Sequence, residues 1–213
     1  MLTVYEIYAS IQGESTYVGE PCVFVRLAAC DLRCAWCDTA YAFTGGRKMT
    51  IDDVVAAVDA LHLGLVEITG GEPLLQPDAP ALLERLIERG DTVLLETGGH
   101  VPLDDVPDDV VVIMDVKCPG SGEAARMHWP NLDHLSAHDE VKFVIKDRAD
   151  FDYACEVVRR HDLAAHVGAV LLSPAHGGLP PADLARWILE ARVPARLQIQ
   201  AHKYIWNKDA RGV

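Results

Sequence analysis

Residues 30–39 read Cys-Asp-Leu-Arg-Cys-Ala-Trp-Cys-Asp-Thr and follow shortly after the apolar run Val23–Leu27. Their three cysteines, Cys30, Cys34 and Cys37, have the spacing C-x3-C-x2-C. Thiolates this close together can each bind one iron of a cubic [4Fe–4S] cluster, because soft sulfur ligands suit that cluster. Most electron-carrying clusters use four cysteines, so a set of three leaves one iron open to bind a substrate.

Two other uses of these cysteines need to be weighed. A structural zinc site usually has four ligands, and the fourth would have to be Cys22 or a distant histidine, since no second C-x2-C pair follows. A disulfide framework is not expected in 213 residues with six cysteines and no signal peptide. We therefore favour the cluster. The cysteines outside the triplet are interpreted as buried small apolar side chains: Cys22, Cys118 and Cys155.

The composition limits the kinds of partner and the location. The chain has 19 Lys and Arg residues against 32 Asp and Glu, a formal net charge of −13. This acidity argues against broad binding to nucleic acid or to an anionic membrane, which needs a basic face. No apolar run reaches the length of a membrane span, and residues 1–6 lack the basic and apolar regions of a signal peptide. We expect one domain, residues 1–213, in the reducing cytoplasm.

Apolar runs and helical patterns alternate along the chain. The runs that predict buried strands are Val23–Leu27, Leu65–Thr69, Thr92–Glu96, Val110–Met114, Val141–Ile145, Val167–Leu172 and Arg196–Gln200. The helical patterns are Ile51–Leu61 after the N-cap candidate Thr50, Ala79–Arg89 before the C-cap candidate Gly90, Phe151–Arg160 and Ala182–Ala191. Residues Pro119–Asp139 lack a clear period and are predicted to form a loop. The alternation predicts an α/β fold with a parallel sheet and right-handed crossovers.

A second motif, Thr69-Gly70-Gly71-Glu72-Pro73, comes directly after a predicted strand. Alone, it is equally compatible with a turn that ends the strand. Together with the cysteine triplet, in this order and at strand ends, it resembles the radical S-adenosylmethionine (SAM) superfamily. The resemblance implies that SAM binds the fourth iron and that the Gly-Gly-Glu-Pro motif contacts its amino group. It also implies an open (β/α)6 barrel, and because this chain is short for one, we expect a partial barrel with shortened or missing crossover helices and a site at the C-terminal ends of the strands.

Further motifs narrow the resemblance. Gln12-Gly13-Glu14 precedes Phe24-Val25-Arg26-Leu27, and Gln200-Ala201-His202-Lys203 lies near the end of the chain. Arg26 interrupts an apolar strand and needs a partner, which is either a glutamate or a substrate carboxylate. In this order, with a cysteine loop that ends in Asp38-Thr39, the motifs resemble the 7-carboxy-7-deazaguanine synthase family over nearly the whole chain.

That resemblance implies a specific reaction, the ring contraction of 6-carboxy-5,6,7,8-tetrahydropterin to 7-carboxy-7-deazaguanine with loss of ammonia, in queuosine and 7-deazapurine biosynthesis. The implied cofactors are a [4Fe–4S] cluster, SAM and Mg2+. The implied partners are the small pterin substrate, an electron donor such as flavodoxin or ferredoxin, and a second copy in a homodimer. The residues assigned by the match are Cys30, Cys34 and Cys37 for the cluster; Thr39 for Mg2+; Gln12, Gly13, Glu14, Arg26, Thr69 and His202 for the substrate; and Trp36, Asp38, Gly71, Glu72, Glu96, Asp115, Lys117 and Ser173 for SAM.

Two other functions stay open on the sequence. A glycyl-radical-enzyme activase is also a short radical SAM protein, but the Gln12–Glu14 segment and Arg26 would then have no role. A non-enzymatic iron–sulfur carrier would need a fourth protein ligand and leaves Thr69–Pro73 unexplained. Thr39 is also suited to a helix N-cap, and Gly98 stands where the family has an asparagine. No general base is obvious from the sequence.

Overall fold

The structure, a computed structural model, describes residues 1–207 and 210–212, and its nine strands form one sheet. The strands are β1 (Leu2–Ile11), β2 (Pro21–Leu27), β3 (Arg47–Met49), β4 (Leu65–Gly70), β5 (Thr92–Thr97), β6 (Val111–Asp115), β7 (Glu140–Ile145), β8 (Ala169–Pro174) and β9 (Arg196–Leu197). The α-helices are α1 (Ile51–Asp59), α2 (Ala79–Arg89), α3 (Arg148–Arg160), α4 (Leu163–His166), α5 (Pro181–Ala191) and α6 (His202–Ile205).

The sheet is mostly parallel and open. Its strand order is β3-β1-β2-β4-β5-β6-β7-β8-β9. Strand β1 is antiparallel to its neighbours β2 and β3, and every pair from β2 to β9 is parallel. Because β3 and β9 lie at opposite edges of the sheet, the barrel does not close. The predicted α/β fold, an open and partial (β/α)6 barrel, is confirmed.

Crossover helices are missing where the sequence lacks a helical period. Helix α2 connects β4 to β5, α3 and α4 connect β7 to β8, and α5 connects β8 to β9. The connections on either side of β6, which the structure describes throughout, contain no α-helix. The predicted loop Pro119–Asp139 holds only short 3-10 helices, at Pro119–Ser121, Ala124–Arg126 and Trp129–His134. The expectation of missing crossover helices is therefore correct.

The sequence patterns miss strands β1 and β3 and the short helices α4 and α6. Strand β1 mixes buried and half-exposed side chains, so it lacks the continuous apolar run that identifies a central parallel strand. The predicted strand Arg196–Gln200 is too long, since β9 covers only Arg196–Leu197. The side chain of Gln198 instead accepts a hydrogen bond from the Ser15 backbone at 3.0 Å, so the end of this run turns toward the N-terminal segment.

The two faces of the sheet bury different residues, because side chains alternate along a strand. On β4, Val66 and Ile68 belong to the large core that includes helix residues such as Val54 and Leu82. The other face carries a smaller apolar cluster, here called the apolar floor, which consists of Cys22, Phe24, Leu65, Leu94, Val111 and Ile113. Closer to the C-terminal strand ends, this second face carries polar side chains: Arg26, Glu67, Thr69, Glu96, Asp115, Lys142 and Ser173. The polar layer thus lies above the apolar floor, at the strand ends where the site was predicted.

The predicted helix boundaries have their expected caps. The Thr50 hydroxyl accepts a hydrogen bond from the Asp53 backbone at 3.1 Å, and the Asp53 carboxylate accepts one from the Thr50 backbone at 3.1 Å. Helix α2 ends at Gly90, whose φ of 94° is left-handed and favours glycine. None of the described helices combines the length and apolar character needed to cross a bilayer.

Candidate active site

A cavity of about 280 Å³ opens at the C-terminal ends of the parallel strands. Every residue that the sequence assigned to the cluster, Mg2+, the substrate or SAM lines this cavity. This volume is at the lower limit of the roughly 300–1,000 Å³ typical of ligand pockets, so the cavity is of a size that holds a small molecule. The fold therefore brings all of the predicted site residues together, while the role of each one is still a prediction.

The cysteine loop supplies three free, partly exposed thiols to one side of the cavity: Cys30, Cys34 and Cys37. Burial raises the pKa of the Cys34 thiol, and the nearby Lys117 ammonium group opposes that rise. Within the described part of the chain, no three or more His, Cys, Asp or Glu side chains are arranged to hold a single metal ion. A cubic cluster does not need such convergence, since each thiolate binds a different iron. The donor set of three thiols at the mouth of a cavity therefore fits a [4Fe–4S] cluster.

Cys22 and the one H-x3-H pair lie away from the cysteine triplet, and the histidines that line the cavity, His176 and His202, form no metal-holding group with it among the described residues. Cys22 is fully buried in the apolar floor. The sequence contains one H-x3-H pair, His134 and His138, but these rings lie near Asp104, at 3.9 Å, and Asp139, at 3.6 Å. Neither Cys22 nor this histidine pair lines the cavity with the cysteine triplet. The structure thus favours the cluster over a four-ligand zinc site.

Glycines allow the end of β4 to pack against the cysteine loop. The Gly71 backbone donates a hydrogen bond to the Leu27 carbonyl at 3.1 Å, and the Glu72 backbone donates one to the Ala29 carbonyl at 2.8 Å. A Cβ atom on Gly71 would lie 2.1 Å from the Ala29 carbonyl oxygen, far closer than any side chain tolerates. The absence of side chains at this position thus admits the chain segment that carries Cys30.

We expect Gly71→Ala to separate the cysteine loop from β4, because the new methyl group meets backbone that cannot rotate away. The iron content after anaerobic reconstitution should fall to less than half, and Tm should fall by several degrees, the cost of about 1–3 kcal/mol of overpacking. Gly64→Ala is the matched control, since a Cβ atom there meets nothing within 4 Å. A Gly71→Ala protein with normal iron content and Tm would contradict this packing argument.

Glu72 is completely buried and fixed by the neighbouring strand. Its carboxylate accepts hydrogen bonds from the Thr97 hydroxyl at 2.9 Å and the Gly98 backbone at 2.7 Å. Burial raises the pKa of Glu72. Nearby, Asp115 Oδ2 accepts a hydrogen bond from Lys117 at 2.8 Å, while Oδ1 is buried without a hydrogen-bond partner among the described residues. A free carboxylate oxygen in the cavity wall is a fitting acceptor for the ammonium or ribose hydroxyls of SAM.

Arg26 has the glutamate partner that the sequence left as one of two alternatives. Its Nε donates to Glu6 Oε1 at 2.8 Å, and a terminal nitrogen donates to the Tyr8 hydroxyl at 3.1 Å. Although burial opposes the charged form, the pKa of Arg26 is raised further by these oxygen partners, so the guanidinium stays charged. The side chain still lines the cavity, so its positive charge is available to a bound anion.

Lys142 is a central residue of the site that the sequence analysis missed. It is buried on β7 and donates a hydrogen bond to Glu14 at 2.9 Å and another to Glu96. Burial opposes the charge on Lys142, but the two carboxylates outweigh this effect and raise its pKa well above the usual value. A lysine inside the apolar run Val141–Ile145 is the same signal that identified Arg26, and it would have found this residue.

The C-terminal segment closes over the N-terminal motif. Glu14 accepts hydrogen bonds from the side chains of Gln198 and Gln200, both at 2.9 Å. The Gly13 carbonyl accepts one from the Ala201 backbone at 2.8 Å, and a Cβ atom on Gly13 would lie 2.2 Å from His202 Nδ1. Burial lowers the pKa of His202. His202 is thus packed against the Gln-Gly-Glu segment and not exposed at a loose chain end.

The residues after the third cysteine are positioned by the same segment. Asp38 forms an ion pair with Lys203 at 2.8 Å. Burial opposes ionisation of this half-exposed carboxyl, but the Lys203 charge prevails and lowers the pKa of Asp38 to about 2. Thr39 is at the N-cap position of the short 3-10 helix Ala40–Phe43, but its side chain makes no capping hydrogen bond. The N-cap alternative for Thr39 therefore has no bond to support it.

Comparisons with known proteins identify the family of this chain. A profile of the radical SAM superfamily matches residues 25–164. A 7-carboxy-7-deazaguanine synthase of Koribacter versatilis is 51% identical over 226 residues, covering 100% of both chains. One of Chlorobaculum tepidum is 44% identical over 216 residues and covers 100% of this chain and 97% of its own. The crystal structure of QueE from Escherichia coli has the same fold, with a TM-score of 0.74 at 22% identity and 94% of each chain covered.

The relatives are similar to this chain over its full length. The chain also has the cysteine triplet and the Gly-Gly-Glu-Pro motif at adjacent strand ends, so its family can be assigned. The chain belongs to the radical SAM superfamily and, within it, to the 7-carboxy-7-deazaguanine synthase family.

Proposed function

We propose that this protein contracts the ring of 6-carboxy-5,6,7,8-tetrahydropterin to give 7-carboxy-7-deazaguanine and ammonia, as a radical SAM enzyme of 7-deazapurine biosynthesis. The observation that carries this proposal is the single cavity that joins the cysteine loop to the Gln12–Glu14 segment and Arg26. A glycyl-radical-enzyme activase would have no use for these polar groups beside the cluster. The full-length relatives named 7-carboxy-7-deazaguanine synthase support the same reaction.

The cluster and SAM have a defined place in this proposal. Cys30, Cys34 and Cys37 hold the cluster, and Glu72 and the free oxygen of Asp115 hold SAM. When bound, the cluster and SAM together supply the one-electron chemistry that removes a hydrogen atom from the substrate. The remaining groups assigned to SAM are Trp36, Asp38, Gly71, Glu96, Lys117 and Ser173.

The substrate is bound by the opposite wall of the cavity. Gln12, Gly13, Glu14, Thr69 and His202 are proposed to bind the heterocycle, with Arg26 facing its carboxylate. Lys142 fixes the side chains of Glu14 and Glu96 through ion pairs, so that both present acceptor oxygens. Phe24 and Ile113 of the apolar floor line the cavity and would help to keep water away from the bound substrate.

Several finer points are part of the same proposal. Thr39 would bind a Mg2+ ion that bridges to the substrate, since hydroxyl and substrate oxygens suit this hard cation.

One continuous sheet and core support a single domain over residues 1–213. A homodimer, a flavodoxin or ferredoxin donor and a cytoplasmic location are proposed from the family resemblance, and the last suits thiols that must stay reduced.

The deciding experiment is anaerobic reconstitution with iron and sulfide, followed by SAM, a reductant, the pterin substrate, and Mg2+ present or absent. Mass spectrometry should detect 7-carboxy-7-deazaguanine, and Mg2+ should raise the rate in wild type but not in Thr39→Ala. If 5′-deoxyadenosine forms from SAM without this product, the substrate assignment is wrong and an activase becomes the better hypothesis. A protein with a full cluster that neither cleaves SAM nor forms product would overturn the enzymatic proposal.

We expect Arg26→Lys to lower kcat/KM for the pterin by about 10–100-fold, mainly through a higher KM, because lysine keeps the charge but loses the bidentate geometry. The effect should disappear for a substrate analogue without the carboxylate. Arg85→Lys is the matched control, since Arg85 is half exposed on helix α2 and away from the cavity. Equal losses for both substrates would show that Arg26 only stabilises the fold through Glu6.

A further inference from the structure

Glu67 is a buried carboxyl group at the bottom of the active-site cavity. It lies on β4, where its neighbours across the sheet are Phe24 on β2 and Leu94 on β5, both part of the apolar floor. Glu67 itself lines the cavity and is only 5% exposed. It is therefore a polar group that borders the apolar floor on one side and the ligand space on the other.

Among the described residues, no cation forms an ion pair with Glu67. Lys142 forms ion pairs with Glu14 and Glu96 but not with Glu67. The side chain of Gln12 donates a hydrogen bond to Glu67 Oε2. Burial, and then the nearby Glu96 carboxylate, raise the pKa of Glu67 to about 8. At neutral pH most of the molecules thus carry a proton on this carboxyl group.

Four titratable groups that face Glu67 do not ionise in the same range. Burial raises the pKa of the Tyr8 hydroxyl on β1 and of the Cys22 thiol on β2. The pKa of Glu96 is lowered, because its ion pair with Lys142 outweighs burial, and that of Lys142 is raised well above its usual value. These four groups are therefore not expected to change charge near pH 8, where Glu67 is expected to ionise.

The position of the proton follows from the hydrogen bonds. Since Oε2 accepts from Gln12, the proton of the neutral acid belongs on Oε1, for which the described residues offer no hydrogen-bond partner. Gln12 is itself a proposed substrate residue, so the free O–H lies beside the heterocycle site. Such a group can donate a hydrogen bond to a ligand but cannot do so once it ionises.

We propose that Glu67 is a substrate-binding residue whose neutral carboxyl group donates a hydrogen bond to an acceptor atom, a ring nitrogen or carbonyl oxygen, of the bound heterocycle. This inference rests on the proposed function, since it takes the pterin as the ligand. It adds a donor at the bottom of the cavity that none of the sequence motifs contains.

The test is equilibrium binding of 6-carboxy-5,6,7,8-tetrahydropterin to the cluster-loaded, unreduced protein with SAM, measured by anaerobic calorimetry from pH 6.5 to 9.5. In wild type, affinity should fall roughly tenfold as pH rises through about 8. Glu67→Gln presents an amide donor that does not titrate, and its affinity should stay near the wild-type value at low pH and lack this fall. Ionisation of the substrate is common to both proteins, so the difference between the profiles isolates Glu67.

Two further variants separate substrate binding from folding. Glu67→Leu should bind weakly at every pH, while Glu140→Gln, a buried glutamate of β7 outside the cavity, should keep the wild-type profile. Glu67→Gln should also gain Tm over wild type as pH rises toward about 8, because a carboxyl with a raised pKa in the folded state loses stability between its ordinary pKa and that raised value, and the difference should level off above it. Identical pH profiles of binding in wild type and Glu67→Gln would overturn this inference alone; no binding by wild type at any pH would overturn the proposed function.

Discussion

Cys34→Ala should reduce SAM cleavage and product formation to background. The cluster needs all three thiolates, because the fourth iron has no protein ligand and the loss of another leaves two irons uncoordinated. Iron content after anaerobic reconstitution should fall well below that of wild type. The change that SAM produces in the EPR spectrum of the reduced cluster should disappear as well.

Cys155→Ala is the matched control for this experiment. Cys155 is also a free cysteine, but it is buried in helix α3 within the large core. Its replacement should cost about 1 kcal/mol of stability, as expected for a small cavity, and leave iron content and EPR spectrum unchanged. A Cys34→Ala protein with full iron content and a SAM-dependent spectrum would show that the triplet is not the cluster site.

Lys142→Met should lower Tm by about 6–12 °C, the equivalent of about 3 kcal/mol for a chain of this size. The substitution leaves Glu14 and Glu96 as largely buried carboxylates without a cation, and an uncompensated buried charge costs far more than a lost surface ion pair. Substrate affinity should fall too, because Glu14 would lose the hydrogen bond from Lys142 that fixes its position. Thermal unfolding of the cluster-loaded protein at pH 7 measures the first effect and calorimetry the second.

A triple variant shows whether the loss of Tm in Lys142→Met comes from uncompensated carboxylate charge or from lost packing of the lysine side chain. Lys142→Met combined with Glu14→Gln and Glu96→Gln has no uncompensated charge, so it should recover most of the lost Tm. Lys146→Met removes an exposed lysine at the end of the same strand region and should change stability by less than about 0.5 kcal/mol. If the triple variant is as unstable as Lys142→Met alone, the lost packing of the lysine chain explains the effect and the ion-pair argument fails.

Much of the fold could be predicted from the sequence because central parallel strands and amphipathic helices have local patterns. The strand predicted at Leu65–Thr69 corresponds to β4 (Leu65–Gly70), and the helix predicted at Ala79–Arg89 is observed with those bounds. Strand β1 was missed because its pairing with β2 and β3, and not its own apolar content, makes it a strand. Strand β9 was predicted too long for a similar reason. The turn that brings Gln198 to Ser15 depends on a contact between residues distant in sequence.

The sequence alone was enough to recognise the cysteine triplet, the Gly-Gly-Glu-Pro motif and the family. Ligands that lie within eight residues of each other have a spacing that can be read directly from the sequence. Only the tertiary structure decided the charge state of the cavity. Lys142 meets Glu14 across 128 residues and Glu96 across 46, and Arg26 takes Glu6 as its partner. Burial, and then the nearby Glu96 carboxylate, raise the pKa of Glu67, and Lys142 pairs with Glu14 and Glu96 instead. Ionisation depends on burial and on the distance to other charges, and neither quantity exists until the strands are assembled.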